Sequence, residues 1–187
     1  MPPKVKVTKE EILRAAVEVV RESGAEALNA RVLAARMSCS TQPVFSNFAT
    51  MEELRFAVVE QADALCDAYM KRETESGQYP AYKASGMAYI RFAKEEKELF
   101  KLLYMRDRSN ETVNHAEMAK DMESLVRENT GLGGTDVKLF HLEMWAYVHG
   151  IAVMFATGFL DLDWDLVSKM LTDAYQGLRK QYGTEGQ

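Results

Sequence analysis

Apolar residues recur every three or four positions along almost the whole chain, as they do on one face of an α-helix. No segment alternates apolar and polar residues over the length of a β-strand. We therefore predict an all-α protein of about nine helices, in which three N-terminal helices precede a long fourth one that leads to a C-terminal helical part.

The first helix is predicted to begin at Thr8 and to end at Gly24. Thr8 and Glu11 form the T-x-x-E pattern of a capping box, and glycine is the usual residue after a last helical turn. A short second helix follows from Ala30 to about Met37, with Asn29 as its cap.

The stretch CSTQPVFSNFATMEEL, residues 39–54, predicts a third and very short helix. Ser40 can cap it, and Pro43 then falls in the first turn, where a missing N–H costs little. Val44 and Phe48 lie four positions apart and can share a buried face. Because isolated helices under roughly 12 residues are marginal, this one must be held by its neighbours. Its polar face is therefore available for another use.

Thr50 and Glu53 form a second capping box, which predicts a long fourth helix to about residue 72. After a loop at residues 75–80 the helical pattern resumes. The most apolar helix runs from Asp136 to about Thr157 and is expected to be buried on several sides. Asp163 can cap the last helix.

Composition narrows the class of protein. The N-terminus has no apolar core of a secretory signal, and Cys39 and Cys66 form no disulfide framework. The longest apolar run, residues 150–160, is shorter than the roughly 20 residues that cross a bilayer. We expect a soluble, cytoplasmic protein with no membrane partner.

The net charge of −5 is unevenly distributed. Residues 1–55 carry eight basic and seven acidic side chains, a net charge of +1, which leaves −6 for residues 56–187. The acidity therefore belongs to the C-terminal part, and the N-terminal part is weakly basic.

The second helix, the turn at residues 38–40 and the third helix have the lengths of a helix-turn-helix motif. In that motif the second helix lies in the DNA major groove and the first crosses the backbone. The third helix presents side chains that can hydrogen-bond base edges and phosphates, namely Thr41, Gln42, Ser46 and Asn47. The alternative is that this helix is a structural connector.

These residues resemble the N-terminal domain of the TetR (tetracycline-repressor-like) family of transcription regulators, over about residues 8–60. The resemblance is carried by Leu33-Ala34, Ser38-Cys39-Ser40, Val44-Phe45-Ser46-Asn47-Phe48 and Thr50-Met51-Glu52-Glu53-Leu54. It implies a helix-turn-helix DNA-binding domain at residues 1–50. It also implies a C-terminal effector-binding and dimerisation domain at residues 51–187.

Three positions depart from the family pattern. Ser38 stands where the turn usually has glycine, Phe45 replaces a tyrosine, and Met51 replaces a lysine. The last two changes remove a hydroxyl and a cation that can reach phosphate, so we expect weaker non-specific DNA binding. Phe45 would instead contact a thymine methyl group or a sugar. Arg31, Lys4 and Lys6 would meet phosphate or the minor groove.

The sequence Trp145-Ala146-Tyr147-Val148-His149-Gly150 resembles a subclass of the family that carries Trp-x-x-x-His-Gly, and residues 88–104 resemble its aromatic-rich helix pair. The family resemblance implies a cavity in this half for a small-molecule effector, by default apolar or aromatic. Any one candidate can equally be a plain core residue. The candidates are Phe92, Phe100, Leu103, Met118, Met122, Trp145, His149 and Met154.

The resemblance also implies a homodimer in which the last two helices of each chain pair. Two DNA-binding domains would then read the half-sites of a pseudo-palindromic operator. The candidate contacts are Leu142, Gly150, Val153, Val167, Met170, Ala174 and Leu178.

Other chemistry is not indicated. No His, Cys, Asp and Glu set has metal-ligand spacing, and we expect no metal, no cofactor and no enzymatic activity. The glycines at 131, 133 and 134 lack the strand and the Lys-Ser/Thr of a phosphate-binding loop. Cys39 is either a small buried hydrophobe or a thiol switch beside the third helix.

The function expected from the resemblance is a DNA-binding regulator, a repressor released from its operator by a ligand. The sequence does not separate repression from activation. The rival hypothesis is a helical ligand-binding or adaptor protein that has lost DNA binding, and it rests on the weakly basic N-terminal part, Phe45 and Met51.

Overall fold

The structure, a computed structural model, describes residues 7–106 and 115–183, without the side chains of residues 115–121. The described residues form nine α-helices and one short 3-10 helix and contain no strand, which confirms the predicted all-α class. The helices are α1 (Lys9–Ser23), α2 (Ala30–Arg36), α3 (Gln42–Asn47), α4 (Met51–Glu75), α5 (Ala81–Glu95), α6 (Lys97–Tyr104), α7 (His115–Thr130), α8 (Gly134–Thr157) and α9 (Trp164–Gln181), and the 3-10 helix is η1 (Ala25–Ala27).

The helix caps follow the local sequence. Thr8 Oγ1 accepts a hydrogen bond from the Glu11 amide at 3.2 Å, and Glu11 Oε2 accepts one from the Thr8 amide at 2.8 Å. Asn29 Oδ1 accepts from the first amides of α2, and Asp163 Oδ1 accepts from the Asp165 amide at the start of α9. Gly24 ends α1 with φ +80°, a value that favours glycine. These four predicted helix ends are confirmed.

Two predicted caps differ in detail. Thr41, not Ser40, precedes α3, and its side chain makes no capping hydrogen bond. Thr50 Oγ1 accepts from the Glu53 amide as predicted, but the Glu53 carboxylate accepts from the Ala49 amide at 2.6 Å instead of from that of Thr50. The carboxylate therefore reaches one residue further back than in a standard capping box.

The chain divides into two compact units that differ from the predicted boundary at residue 50. The first unit comprises Met1–Cys66 and Glu96–Arg106, and the second comprises Asp67–Glu95 and Asp107–Gln187. The first unit is larger than predicted because α6 packs against α1. The Arg21 guanidinium supports this packing by donating to the Glu96 carboxylate at 2.6 Å.

In the first unit α1 packs against α2, α3 and α6. Their apolar faces supply fully buried side chains, among them Ile12, Val20, Leu33, Val44 and Phe48. Since α3 has six residues, these tertiary contacts hold it in place and its own helical propensity does not.

In the second unit α5 packs against α7, α8 and α9. The approach is close at Gly86, where an added Cβ would lie 3.0 Å from Leu171 Cδ2 and 3.4 Å from Val148 Cγ2. Of the described helices, α8 is long and apolar enough to cross a membrane by length and composition alone, a test that core helices of soluble proteins also pass. Its buried side chains include Val137, Phe140 and Ile151.

Candidate nucleic-acid interface and ligand-binding region

The third helix divides its side chains between the core and the surface. Val44 and Phe48 are each 1% exposed, so they fix α3 in the first unit. Gln42, Phe45 and Ser46 are exposed, and Phe45 keeps 52% of its surface accessible. One face of α3 therefore presents an amide, an aromatic ring and a hydroxyl on a backbone that is held from behind.

The polar groups of α3 are not equally available. Ser46 Oγ donates to the Gln42 carbonyl at 2.9 Å, which leaves its lone pairs to accept. Asn47 is half-buried, and its Nδ2 donates to the carbonyls of Pro43 at 2.8 Å and Val7 at 3.4 Å. Thr41 is half-buried before the first turn. Gln42 is thus the exposed amide of the face.

The turn before α3 carries a left-handed residue. Ser38 has φ +51°, a conformation in which L-residues other than glycine are uncommon. Ser38 therefore occupies a conformation that glycine would adopt at lower cost. The neighbouring Cys39 thiol is half-buried and donates to the Ser40 carbonyl at 3.3 Å.

Most basic side chains between residues 7 and 55 are engaged within the first unit. Arg36 makes two hydrogen bonds to the Glu22 carboxylate, at 2.6 and 2.8 Å, and these bonds lower the pKa of Glu22. Lys9 Nζ lies 3.2 Å from Glu53 Oε1, and Arg55 donates to the Leu28 carbonyl. Within this described stretch, few cations remain to meet phosphate.

Arg31 is one of those cations. It is exposed in the first turn of α2, on the element that precedes the helix-turn-helix turn. Lys4 and Lys6, the other predicted backbone contacts, lie outside the described residues.

The predicted effector-pocket residues are divided between the two units. Phe100 and Leu103 are buried in the first unit. The sequence pattern alone gives no reason to place them in a different unit from the other candidates. The side chain of Met118 lies outside the described residues. The remaining candidates, all in the second unit, are Phe92, Met122, Trp145, His149 and Met154.

In the second unit, Trp145 and His149 form a defined aromatic group with Tyr89. The Trp145 and His149 rings stack with centroids 4.9 Å apart and an interplanar angle of 17°. His149 Nδ1 lies 2.9 Å from the Tyr89 hydroxyl. Trp145 is 42% exposed, and burial lowers the pKa of His149, which favours the neutral ring. The group combines an apolar surface with a polar hydroxyl–imidazole pair.

A second tyrosine–histidine pair was not anticipated from the sequence. The Tyr82 hydroxyl lies 3.1 Å from His141 Nδ1, and burial lowers the pKa of His141. Tyr82 and Tyr89 are seven residues apart on α5, and His141 and His149 are eight apart on α8. This matched spacing on two helices is the sequence signal that could have indicated the pairing.

The surface of α8 carries a continuous stripe of apolar residues that ends in a threonine and contains no charged residue. An added Cβ at Gly150 would meet nothing within 4 Å, so the centre of the stripe is open. The stripe follows the three-and-four spacing of one helix face, with Val153 half-buried and its other members exposed. Its members are Leu139, Leu142, Ala146, Gly150, Val153 and Thr157.

The predicted interface residues on α9 are more buried within the chain than those of the α8 stripe. Val167 is fully buried in its own chain, so its prediction as an intersubunit contact is wrong. Ala174 and Leu178 are partly buried against the core cluster that includes Tyr82 and Phe140. Met170 is half-buried. The apolar stripe of α9 is therefore largely occupied by intrachain packing.

No group of three or more His, Cys, Asp or Glu side chains that could hold a metal ion occurs among the residues that the structure describes.

The packing of α2, a short turn and α3 on α1 defines a helix-turn-helix protein. The domain family described as "Tetracyclin repressor-like, C-terminal domain" matches residues 82–175, slightly more than half of the 187 residues. The chain therefore belongs to the tetracycline-repressor-like family of transcriptional regulators. The predicted family is confirmed.

Solved structures share the fold. A TetR-like transcriptional regulator from Rhodococcus sp. RHA1 superposes with a TM-score of 0.67 at 16% identity, and the match covers 100% of both chains. A protein of unknown function from the same organism gives 0.70 at 22% identity, over 96% of this chain and 97% of that chain.

The multidrug binding protein EbrR, solved in complex with imidazole, gives a TM-score of 0.60 at 18% identity, over 89% of this chain and 88% of that chain. Identities this low support the fold alone. A comparison with curated protein sequences gives no match.

Proposed function

We propose that this chain is a sequence-specific DNA-binding repressor that acts as a homodimer and leaves its operator when a small molecule binds. The observation that carries the proposal is the exposed face of Gln42, Phe45 and Ser46 on a helix anchored by buried Val44 and Phe48. A polar face on so short a helix has no evident structural purpose. The face carries the residue types that major-groove reading requires, and α2 precedes α3 as in a helix-turn-helix motif.

In the proposed complex α3 enters the major groove and α2 crosses the phosphate backbone. The Gln42 amide hydrogen-bonds a base edge, the Ser46 hydroxyl accepts a hydrogen bond next to it, and the Phe45 ring contacts a thymine methyl group. Arg31 meets phosphate from the first turn of α2. Because most other cations between residues 7 and 55 are already paired, the salt dependence of binding is expected to be modest.

Dimerisation is proposed to use the open stripe on α8. An apolar face with Ala146 and Gly150 at its centre allows two helix backbones to approach closely. Leu142, which is 56% exposed, would be covered by the partner. A two-fold dimer presents its α3 helices to half-sites one helical turn or more apart, so the operator is expected to be a pseudo-palindrome.

The effector is proposed to bind at the Tyr89–His149–Trp145 group of the second unit. Stacked rings suit a planar apolar or aromatic ligand, and the hydroxyl–imidazole pair offers it one polar partner. EbrR, a multidrug binding protein, was solved with the aromatic molecule imidazole, which is compatible with such a class of ligand.

Release from DNA would require a helix that differs between the ligand-bound and DNA-bound states. We propose α4 for this role, because its residues up to Cys66 belong to the first unit and those from Asp67 belong to the second. A coupling free energy of about 1–3 kcal/mol between the two sites is the usual scale.

Selection from a random DNA pool tests the proposal. The purified protein is mixed with random duplexes at two salt concentrations, binding is followed by fluorescence anisotropy, and the bound fraction is sequenced. Recovery of an enriched pseudo-palindrome supports the proposal and supplies a duplex for effector screening.

A second candidate function is a ligand-binding or adaptor protein without DNA binding. The observation that favours it is the internal pairing of Lys9, Arg21 and Arg36 in the first unit. A folded, dimeric protein that enriches no sequence at low salt would support this candidate and contradict the repressor.

A further inference from the structure

Lys83, in the first turn of α5, bridges this helix to α9. Its Nζ donates hydrogen bonds to Ser168 Oγ at 2.7 Å and to Thr172 Oγ1 at 2.9 Å. The two helices approach closely one turn further on, where an added Cβ at Gly86 would lie 3.0 Å from Leu171 Cδ2. The side-chain nitrogen of Lys83 is therefore held at a defined position beside the contact between α5 and α9.

The charge of Lys83 is not neutralised by an acidic side chain. Among the residues that the structure describes, no carboxylate forms an ion pair with Lys83. Lys169, which follows Ser168 on α9, differs in this respect, because it pairs with the Asp173 carboxylate. The Tyr79 ring centroid lies 4.8 Å from Lys83 Nζ, and the ring face attracts an ammonium group without neutralising it.

The two hydroxyl partners suit an uncharged amine at Lys83. A neutral lysine amine has two N–H groups and one lone pair, and two hydroxyl oxygens can accept both N–H groups. The Thr172 hydroxyl donates its own proton to the Ser168 carbonyl at 3.0 Å, so it acts as an acceptor toward Lys83. Burial also lowers the pKa of Lys83 below its ordinary value of 10.5, which raises the uncharged fraction near neutral pH. The side chain is half-buried, so a small reagent can still reach it.

We propose that Lys83 is a site of covalent acylation by a small activated acyl donor, either an acyl phosphate or an acyl thioester. The lone pair of Nζ attacks the acyl carbonyl carbon, and a C–N bond forms. The bond from that carbon to the phosphate oxygen or thiol sulfur breaks, and the leaving group departs with the electron pair. One amine proton passes to the solvent. The site lies in the second unit and is independent of the proposed DNA binding.

Acylation of Lys83 would weaken the connection between α5 and α9. The product amide has one N–H group and no positive charge, so at most one of the two hydrogen bonds to the hydroxyls can remain. Because the helices are closely packed at Gly86, we expect the acyl group to turn toward the solvent and to draw Nζ away from α9. The modification therefore makes the packing of α5 on α9 depend on the supply of activated acyl groups.

Acetylation rates measured at individual lysines test the proposal. The natural chain is incubated at pH 8 with acetyl phosphate and, separately, with the acetyl thioester of N-acetylcysteamine. Mass spectrometry of proteolytic peptides gives the rate constant at each lysine. Lys169 is the matched internal control, because it lies on α9 beside Ser168 and its ammonium is paired. The same reactions in guanidinium chloride give the rates for the unfolded chain.

In the folded protein, Lys83 is expected to react several-fold faster than Lys169 with at least one of the two donors, and the donor that reacts identifies the source of the acyl group. Unfolding is expected to make the two rates similar, because the difference arises from the surroundings of Lys83. Ser168→Ala/Thr172→Val removes both hydroxyl acceptors, and it is expected to reduce the rate at Lys83 toward that of the unfolded chain. Thermal melting establishes that this variant folds.

The structural consequence is measured by denaturant unfolding before and after acetylation. Acetylation is expected to lower the midpoint of unfolding more in the natural chain than in Lys83→Arg, whose guanidinium is not acetylated. A rate at Lys83 that does not exceed that of Lys169 in the folded protein, with either donor, would overturn the proposal. So would a ratio of the two rates that is unchanged by unfolding, because the fold would then contribute nothing to the reactivity.

Discussion

At the scale of single residues, α3 shows how six positions are shared between stability and the proposed recognition of DNA. Val44 is in the core, Gln42, Phe45 and Ser46 are on the surface, and Asn47 is bonded to the backbone on two sides. Each exposed side chain therefore projects from a backbone that buried residues hold in place. In the proposed complex, this anchored backbone would hold α3 in one position relative to a base pair, which is what direct readout requires.

Gln42→Ala is expected to relax preference at a single base pair by about 1–3 kcal/mol, because the exposed amide is proposed to bind that base edge. The change is measured by repeating the duplex selection and by titrating duplexes altered at each position. Gln78→Ala, at an exposed glutamine between α4 and α5, is the matched control. A uniform loss over all sequences would contradict the assignment of Gln42 to base reading.

Ser38→Gly is expected to raise the free energy of unfolding by roughly 0.5–1 kcal/mol. A left-handed conformation costs an L-residue roughly 1–2 kcal/mol, part of which glycine returns through its greater freedom in the unfolded chain. Ser38 has this conformation with φ +51°. Denaturant unfolding measures the change. Ser40→Gly is the control, expected to be destabilising, and a loss of stability in Ser38→Gly would contradict the expectation.

At the scale of secondary structure, α5 and α8 are joined by two hydrogen-bonded tyrosine–histidine pairs. Tyr82 pairs with His141, and Tyr89 pairs with His149, at 3.1 and 2.9 Å. Burial lowers the pKa of both histidines from the ordinary value of 6.5, against a smaller opposing effect of Glu123 on His141. The folded protein therefore favours neutral rings along this helix interface.

This interface predicts a loss of stability on acidification. When the folded pKa is lowered, the unfolded chain binds protons first, so the free energy of unfolding falls as the pH drops below about 6.5. The fall is measured by denaturant unfolding at pH 7 and pH 5.5. It is expected to be smaller in His141→Gln/His149→Gln, whose amides can bond the tyrosines but do not titrate. An equal fall in both proteins would contradict this account.

Features of the helices are predictable from the sequence when the interacting residues are only a few positions apart. Caps at Thr8, Asn29 and Asp163 involve partners two or three residues away, and they were readable from the sequence. The packing of α6 against α1 depends on contacts such as Arg21 to Glu96, which are 75 residues apart. Helical periodicity reports that a face is buried, but it does not report which partner covers it.

In the candidate site, too, short-range features are predictable from the sequence and long-range contacts are not. The exposed face of α3 was predictable, because Val44 and Phe48 mark its buried side four residues apart. The bond from Asn47 to Val7 spans 40 residues and was not readable. Val167 is predicted at the dimer surface because it belongs to an apolar stripe of α9. This prediction is wrong, because packing within the chain buries Val167 fully. An apolar stripe alone does not distinguish a core from an interface.

At the scale of the whole molecule, the open stripe of α8 predicts how two chains associate. Leu142→Glu is expected to convert the dimer to a monomer at micromolar concentration, because a buried unpaired carboxylate at the interface is costly. Sedimentation velocity measures the mass of the species. Gln78→Glu adds the same charge at an exposed loop position and is expected to remain dimeric. A dimeric Leu142→Glu protein would place the interface elsewhere.

The central claim is that the chain distinguishes one DNA sequence from others. Its most direct test is an anisotropy titration of the most enriched duplex and of its scrambled counterpart, each at two salt concentrations. We expect the enriched duplex to bind about 10³-fold or more tightly, with both affinities falling as salt rises and the preference remaining. Equal affinity for the two duplexes at each salt concentration would contradict the proposed function.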